Sequence, residues 1–178
     1  MVNILVTGMS GTGKSTVLKE LSRRGYETVD TDSDRWSEFV ASDDQGRPAD
    51  WVWREDRIGR LLDSHQDGVL YVSGCKSNQG RFYDRFDAVV LLSAPAETIM
   101  ERIRTRDTND YGKSAKERRQ VLGDLESVEP LLRATSTVEL DTCRPLSDVA
   151  DDLVMLGEAL LTGGTSTHEA ALADRTSL

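Results

Sequence analysis

A glycine-rich run near the amino terminus constrains the fold of this chain more than any other feature of its sequence. Residues 8–15 are Gly-Met-Ser-Gly-Thr-Gly-Lys-Ser, a full match to the pattern G-x-x-x-x-G-K-[ST]. The β-branched run at 2–7 precedes it, and an amphipathic stretch with Val17, Leu18 and Leu21 on one face follows it. A phosphate-binding loop requires this position between a strand and a helix, so the sequence predicts that the segment binds the phosphates of a nucleotide.

The residue types in this run explain how phosphates would be bound. Glycines let the backbone curl until successive N–H groups point inward, and the helix that follows adds its own N-terminal N–H groups. Lys14 is predicted to reach the β- and γ-phosphates, and the Ser15 hydroxyl to bind Mg²⁺. The predicted cofactors are therefore ATP and Mg²⁺, bound by Gly8, Met9, Ser10, Gly11, Thr12, Gly13, Lys14, Ser15 and Thr16.

Strand and helix patterns alternate through the first 160 residues. Short apolar, β-branched runs predict strands at 2–7, 27–29, 69–72, 88–92 and 137–140. Helical patterns occupy 16–24, 33–40, 51–65, 95–103, 116–132 and 146–161, and a polar loop is predicted at 42–50. Alternation with short connections predicts an α/β domain in which helices cover both faces of a parallel sheet.

Composition excludes several classes of protein. The length of 178 residues fits one compact domain. The net charge of −9 argues against a general nucleic-acid binder. No apolar run approaches the roughly 20 residues of a membrane helix, and the absence of a basic leader predicts a cytoplasmic protein. Two cysteines cannot form a disulfide framework or a metal cluster. We expect one domain over 1–161 and a mobile tail over 162–178, in which 169–173 could extend a helix.

An acidic pair follows the second predicted strand, in the segment Val29-Asp30-Thr31-Asp32. Together with the phosphate-binding loop and the short chain, it resembles the small-molecule and nucleotide kinases, most of all shikimate-kinase-like proteins, with gluconate and nucleoside monophosphate kinases as relatives. The similarity covers roughly residues 1–160. It implies a three-layer P-loop NTPase fold with a five-stranded parallel sheet in the order 2-3-1-4-5 and a small lid at about 104–116. It also implies transfer of the γ-phosphoryl group of ATP to a hydroxyl or phosphate of a small-molecule or nucleotide acceptor.

In shikimate-type kinases the second strand ends in such an Asp-x-Asp pair, so the resemblance implies that Asp30 holds Mg²⁺ and that Asp32 receives the proton of the acceptor hydroxyl. A physical argument points the same way. Carboxylates at the carboxyl end of a parallel strand lie where ligands bind, a hard cation prefers oxygen ligands, and a hydroxyl acceptor needs a base within reach. The alternative is a polar turn that caps a helix.

Acceptor-binding residues are expected in two segments. Arg54 and Arg57 resemble the region where shikimate kinases grip the substrate carboxylate, a task that suits the arginine fork. The alternative is an exposed helix face with charge pairs. The tryptophans in and near this region could either wall an acceptor pocket or belong to the core: Trp36, Trp51 and Trp53.

Shikimate kinases carry three consecutive glycines after the third strand, where this chain has Gly74-Cys75-Lys76. The resemblance implies that Gly74 lets the backbone approach the acceptor. Cys75 and Lys76 would instead project side chains toward it, which counts against shikimate itself as the substrate.

Arginines precede the predicted lid. Arg102 and Arg106 share one helix face and are expected to bind nucleotide phosphates and to stabilise the charge on the transferred phosphoryl group. After the fifth strand, Arg144 would stack on the nucleotide base, or else the segment is only a turn that opens the last helix.

Three alternatives remain open from the sequence. A nucleoside or nucleoside monophosphate kinase would grip its acceptor with Arg54, Arg57 or Arg81. An end-kinase of nucleic acid is disfavoured by the net charge of −9. A nucleotide-binding switch or ATPase would have no acceptor, but the guanine-binding pattern Asn-Lys-x-Asp and a hydrolase-type aspartate on the third strand are both missing. A monomer or weak dimer is expected.

Overall fold

The computed structural model describes residues 1–42, 49–107 and 110–173, with side chains described as far as residue 163. Five strands form one parallel sheet in the order β2-β5-β1-β6-β7. Their bounds are β1 Val2–Thr7, β2 Glu27–Asp30, β5 Val69–Ser73, β6 Ala88–Ser93 and β7 Val138–Asp141. These are the five predicted strands in the predicted order, so the predicted P-loop NTPase fold is confirmed.

Helices cover both faces of this sheet. They are α1 Lys14–Arg23, α2 Glu55–Ser64, α3 Ala96–Thr105, α4 Ala115–Ser127, α5 Glu129–Thr135 and α6 Leu146–Ala173, with a 3₁₀ helix at Gln79–Arg85. Alternation along β1 sends Ile4 and Val6 into a core with α1 and α6, whereas Leu5 enters a second core with α2. Burial on both faces explains why the central strands are almost wholly apolar.

An antiparallel hairpin replaces two predicted helical segments, and both predictions are wrong there. Strand β3, Ser37–Val40, pairs with β4, Asp50–Trp53, so neither 33–40 nor 51–53 is helical. The Asn78 side chain accepts a hydrogen bond from Trp53 N at 2.9 Å and donates one to Trp53 O at 3.0 Å, which fixes β4 in an extended conformation. Helix α2 therefore begins at Glu55. Of the predicted polar loop at 42–50, residues 43–48 lie outside the described residues.

The predicted single helix at 116–132 is divided in two. Ser114 and Glu117 form a reciprocal capping box that starts α4, and Pro130 lies in the first turn of α5. Proline has no N–H to continue the preceding helix, so the chain starts a new one there. Helix α6 continues to Ala173, past the predicted end at 161, whereas the mobility of 162–178 stays a prediction. No helix within the described residues is long and apolar enough to cross a membrane.

Candidate functional site

The glycine-rich loop connects β1 to α1 at the carboxyl edge of the sheet. Gly8 and Gly13 have φ of 146° and 99°, in the region that favours glycine. A Cβ at Gly8 would overlap the carbonyl oxygen of Leu92 and come 2.9 Å from Thr12 Oγ1. The loop can therefore be this tight only with glycine at Gly8, which is the backbone form expected of a phosphate cradle.

Lys14 is turned back over the loop that precedes it. Its Nζ donates to the carbonyl oxygens of Gly8 at 2.7 Å and Met9 at 3.0 Å, and the residue is only 8% exposed. Burial lowers the pKa of Lys14, and the nearby Cys75, Asp32 and Asp30 oppose that shift. An ammonium group with little water around it interacts strongly with any anion that enters the loop.

Ser15 and Asp30 bring two possible oxygen ligands for a metal together beside the loop. Ser15 Oγ donates to Asp30 Oδ2 at 2.8 Å, which links the start of α1 to the end of β2. Hydroxyl and carboxylate oxygens suit Mg²⁺, which usually takes one or two carboxylates and completes its shell with phosphates and water. The described residues contain no cluster of three or more His, Cys, Asp or Glu that could hold a metal alone. The oxygens of Ser15 and Asp30 therefore fit a magnesium ion that arrives with a nucleotide.

Asp32 lies two residues further on and is half exposed. Its backbone N–H donates to Asp30 Oδ1 at 3.1 Å, and its Oδ1 accepts a hydrogen bond from Lys76 Nζ at 2.8 Å. Lys76 belongs to the loop after β5, so this ion pair joins the ends of two neighbouring strands. The sequence predicts Lys76 near the acceptor, but it does not predict that Lys76 pairs with Asp32.

These groups line one cleft of about 1290 Å³. The predicted site residues found in its wall are Met9, Ser10, Gly11, Thr12, Gly13, Lys14, Ser15, Thr16, Asp30, Asp32, Arg102, Arg106 and Arg144. The wall also includes Trp51, one of the tryptophans predicted either to wall an acceptor pocket or to lie in the core. It further includes Asp50 and Ser77, for which the sequence predicts no role. Ser77 Oγ donates to Asp50 Oδ2, so the hairpin and the loop after β5 meet at this side of the cleft.

Three of the predicted arginines line the cleft. Arg106 donates to Ser10 Oγ at 3.3 Å and to the Tyr111 carbonyl at 2.7 Å, and burial lowers the pKa of Arg106. Arg102 donates to Oγ1 and O of Thr142, at 2.9 and 2.6 Å, and Arg144 pairs with Asp152 at 2.5 Å. Arg106 thus bridges the predicted lid to the phosphate loop.

Arg54 and Arg57 do not line this cleft. Arg54 Nη1 pairs with Glu38 Oε2 at 2.8 Å and its Nε donates to the Asp34 carbonyl at 3.1 Å. Arg57 Nη1 donates to the Arg35 carbonyl at 2.6 Å. Both arginines hold the segment before and within β3 against the start of α2, and their binding of an acceptor stays a prediction.

Gly74 lies behind the cleft wall rather than in it. A Cβ there would overlap Thr31 Oγ1 and come 3.0 Å from Trp53 Cζ2. Trp53 is buried and donates from Nε1 to Thr31 Oγ1 at 2.7 Å, and its ring meets Phe82 edge-to-face. Trp53 therefore belongs to the core, with Trp36 packed against it, whereas Trp51 lines the cleft.

A family model of an AAA domain matches residues 4–123, about two thirds of the sequence. The chain belongs to this AAA-domain family. No curated protein matches the sequence. The AAA-domain match covers the glycine-rich loop, β2 with its acidic pair, the hairpin and the lid arginine Arg106.

Solved structures of kinases share the fold of this AAA-domain chain. Shikimate kinase from Acinetobacter baumannii, in complex with shikimate, is 20% identical with a TM-score of 0.59, over 88% of this chain and 92% of that one. Shikimate kinase from Bacteroides thetaiotaomicron is 18% identical with a TM-score of 0.62, over 88% and 98%. A gluconokinase from Sinorhizobium meliloti is 16% identical with a TM-score of 0.57, over 93% and 97%. The resemblance predicted from the sequence is thus confirmed at the level of the fold.

Proposed function

We propose that this chain is an ATP-dependent small-molecule kinase, which transfers the γ-phosphoryl group of ATP to a hydroxyl or phosphate of its acceptor. One observation carries the proposal. A single cleft joins the phosphate loop with Lys14 and Ser15 to the acidic pair Asp30 and Asp32, and then continues to Trp51 on the hairpin. A nucleotide on the loop and a second molecule against the hairpin would meet at the acidic pair.

The size of the cleft supports a two-substrate reaction. Its volume of about 1290 Å³ exceeds the roughly 300–1,000 Å³ typical of a pocket for one small molecule. A switch or ATPase needs room for the nucleotide alone. The part of the cleft formed by Asp50, Trp51 and Ser77 would then be the acceptor site.

The residues around the loop would hold Mg·ATP. Ser15 and Asp30 offer oxygen ligands to Mg²⁺, and Lys14, Arg102 and Arg106 would surround the phosphates. Arg144 would contact the base. Bound Mg·ATP would supply the phosphoryl group, and the cations of the chain would stabilise the charge that spreads over its oxygens.

Asp32 would act as the base toward an acceptor hydroxyl. As the acceptor oxygen bonds to the γ-phosphorus, the bond to the β-phosphate oxygen breaks, ADP leaves, and the hydroxyl proton passes to the Asp32 carboxylate. Binding of the acceptor by Arg54 or Arg57 would require either guanidinium to leave its present partners. We therefore place the acceptor against Trp51, and assign Gly74 to packing.

The proposal is tested by measuring ADP release from Mg·ATP with shikimate, gluconate, nucleosides, nucleoside monophosphates and a short oligonucleotide as acceptors. We expect one acceptor class to stimulate turnover, and Lys14→Ala to lower that turnover by about 100-fold or more. The control is Lys116→Ala, since Lys116 is exposed on α4 and lies outside the cleft.

Two results would contradict the proposal. Stimulated turnover that survives in Lys14→Ala would show that the loop does not carry the reaction. Tight binding of nucleotide with only slow hydrolysis, unaffected by any acceptor, would favour an ATPase or switch instead.

A further inference from the structure

Lys76 is an unusually buried cation beside the acidic pair. Its side chain is only 10% exposed, whereas that of its partner Asp32 is 50% exposed. Exposed ion pairs contribute little because water screens them and long side chains resist being ordered. A lysine already held out of water loses less by pairing, so the contact of its Nζ with Asp32 Oδ1, at 2.8 Å, has a defined geometry.

Buried hydrogen bonds fix the backbone of Lys76. Its N–H donates to Gln79 Oε1 at 3.2 Å, and its carbonyl accepts from Gln79 N at 3.1 Å. Gln79 is 3% exposed and donates from Nε2 to Tyr83 OH at 2.8 Å and to Thr7 Oγ1 at 3.3 Å. Thr7 ends β1 and directly precedes the phosphate loop. Gln79 thus ties the backbone of Lys76 to β1, the strand that leads into the phosphate loop.

Asp32 is also linked to Asp30 and Ser15, the residues whose oxygens suit Mg²⁺. Its backbone N–H donates to Asp30 Oδ1, and Asp30 Oδ2 accepts from Ser15 Oγ. Within the described part of the chain, the hydrogen bond to the Asp32 carboxylate involves Oδ1. Oδ2 would then be the oxygen that meets an acceptor hydroxyl.

We propose that Lys76 is a positioning residue for Asp32, an inference that rests on the proposed kinase function. Its ammonium holds one carboxylate oxygen of Asp32, which orients the other toward the acceptor and balances the negative charge of Asp30 and the incoming phosphates. Without that cation the Asp32 side chain would be repelled by the nearby anions and free to rotate into solvent. Lys76 acts through Asp32 and need not contact either substrate.

A double-mutant cycle separates this role from direct binding of a substrate. The variants are Lys76→Met, Asp32→Asn and the double variant, with Lys76→Arg as the conservative replacement and Lys116→Met as the matched control on α4. Each is assayed for ADP release with whichever of shikimate, gluconate, a nucleoside or a nucleoside monophosphate turns over fastest in the unaltered protein. Both kcat and the KM of each substrate are measured, and folding is checked by thermal denaturation.

We expect Lys76→Met to lower kcat by roughly tenfold to a hundredfold, the scale of coupling between contacting residues. The KM for ATP should stay within about twofold, because Lys76 would not bind the nucleotide. Lys76→Arg should recover most of the activity. In the Asp32→Asn background, Lys76→Met should cause no further loss, since the group that it positions is already neutral.

The inference is overturned if the loss from Lys76→Met is repeated in full in the Asp32→Asn background, or if Lys76→Met raises the acceptor KM at unchanged kcat. Either result would mean that Lys76 contacts a substrate directly. Unaltered kinetics in Lys76→Met would also overturn it while leaving the kinase function intact. If no acceptor stimulates the unaltered protein, the proposed function itself fails and the inference fails with it.

Discussion

The substitution Gly74→Ala tests whether this glycine serves packing or the approach of a substrate. The added methyl group would overlap Thr31 Oγ1 and lie 3.0 Å from Cζ2 and 3.1 Å from Nε1 of Trp53. The indole is 1% exposed, and its Nε1 donates to Thr31 Oγ1 at 2.7 Å. Alanine at 74 must therefore displace the indole or break this buried hydrogen bond.

The cost follows from these two effects. Overfilling a packed core costs about 1–3 kcal/mol, and losing a buried hydrogen bond costs about 1 kcal/mol more. We expect Gly74→Ala to lower the free energy of unfolding by about 2–4 kcal/mol, and the melting temperature by about 4–16 °C for a chain of this size.

Urea and thermal denaturation, followed by tryptophan fluorescence, would measure this loss. Gly123→Ala is the matched control, because Gly123 lies inside α4 and a Cβ there meets nothing within 4 Å. That variant should be more stable than the unaltered protein by about 0.5–1 kcal/mol. Wild-type stability in Gly74→Ala would refute the packing argument, and a raised acceptor KM in such a variant would restore Gly74 to the acceptor site.

Two further predictions concern the acceptor site and acid stability. Trp51→Ala should raise the KM for the acceptor by about tenfold and leave the KM for ATP unchanged, because the ring lines the cleft away from the phosphate loop; equal changes in both KM values would contradict this. Hydrogen bonds from Arg23 and Arg24 lower the pKa of Glu20 to about 2. A carboxyl pKa depressed below its usual value of about 4.5 stabilises the fold above that pH, and the effect is lost as the pH falls toward 2. The stability difference between the unaltered protein and Glu20→Gln, measured by urea denaturation, should therefore shrink over this range; a constant difference would be inconsistent with the assignment.

The sheet could be predicted because its signals are local. The central strands are short apolar runs, and the loop at 8–15 needs no distant residue to be recognised. The strand order followed from a resemblance that those local motifs support. The roles of Lys14, Ser15, Asp30 and Asp32 stay predictions, but their convergence follows from the rule that ligands bind at the carboxyl ends of parallel strands.

The β3–β4 hairpin could not be predicted because a distant residue determines it. Residues 51–53 are apolar at successive positions and lead directly into a helix, so their pattern fits the first turn of α2 as well as a strand. The deciding contact comes from Asn78, whose amide bonds both backbone groups of Trp53. An asparagine 25 positions away leaves no trace in the local pattern.

The same hairpin should link stability to acceptor binding, if the acceptor binds as proposed, in a way that the phosphate loop does not. Trp53 anchors β4 in the core through Thr31 and the space left by Gly74, and Trp51 extends from the same strand into the cleft. A change that loosens Trp53 should therefore move Trp51 as well. The nucleotide side is built on β1 and α1, and α1 packs in the other core, away from Trp53. Damage to the hairpin should weaken binding of the acceptor before it weakens binding of the nucleotide.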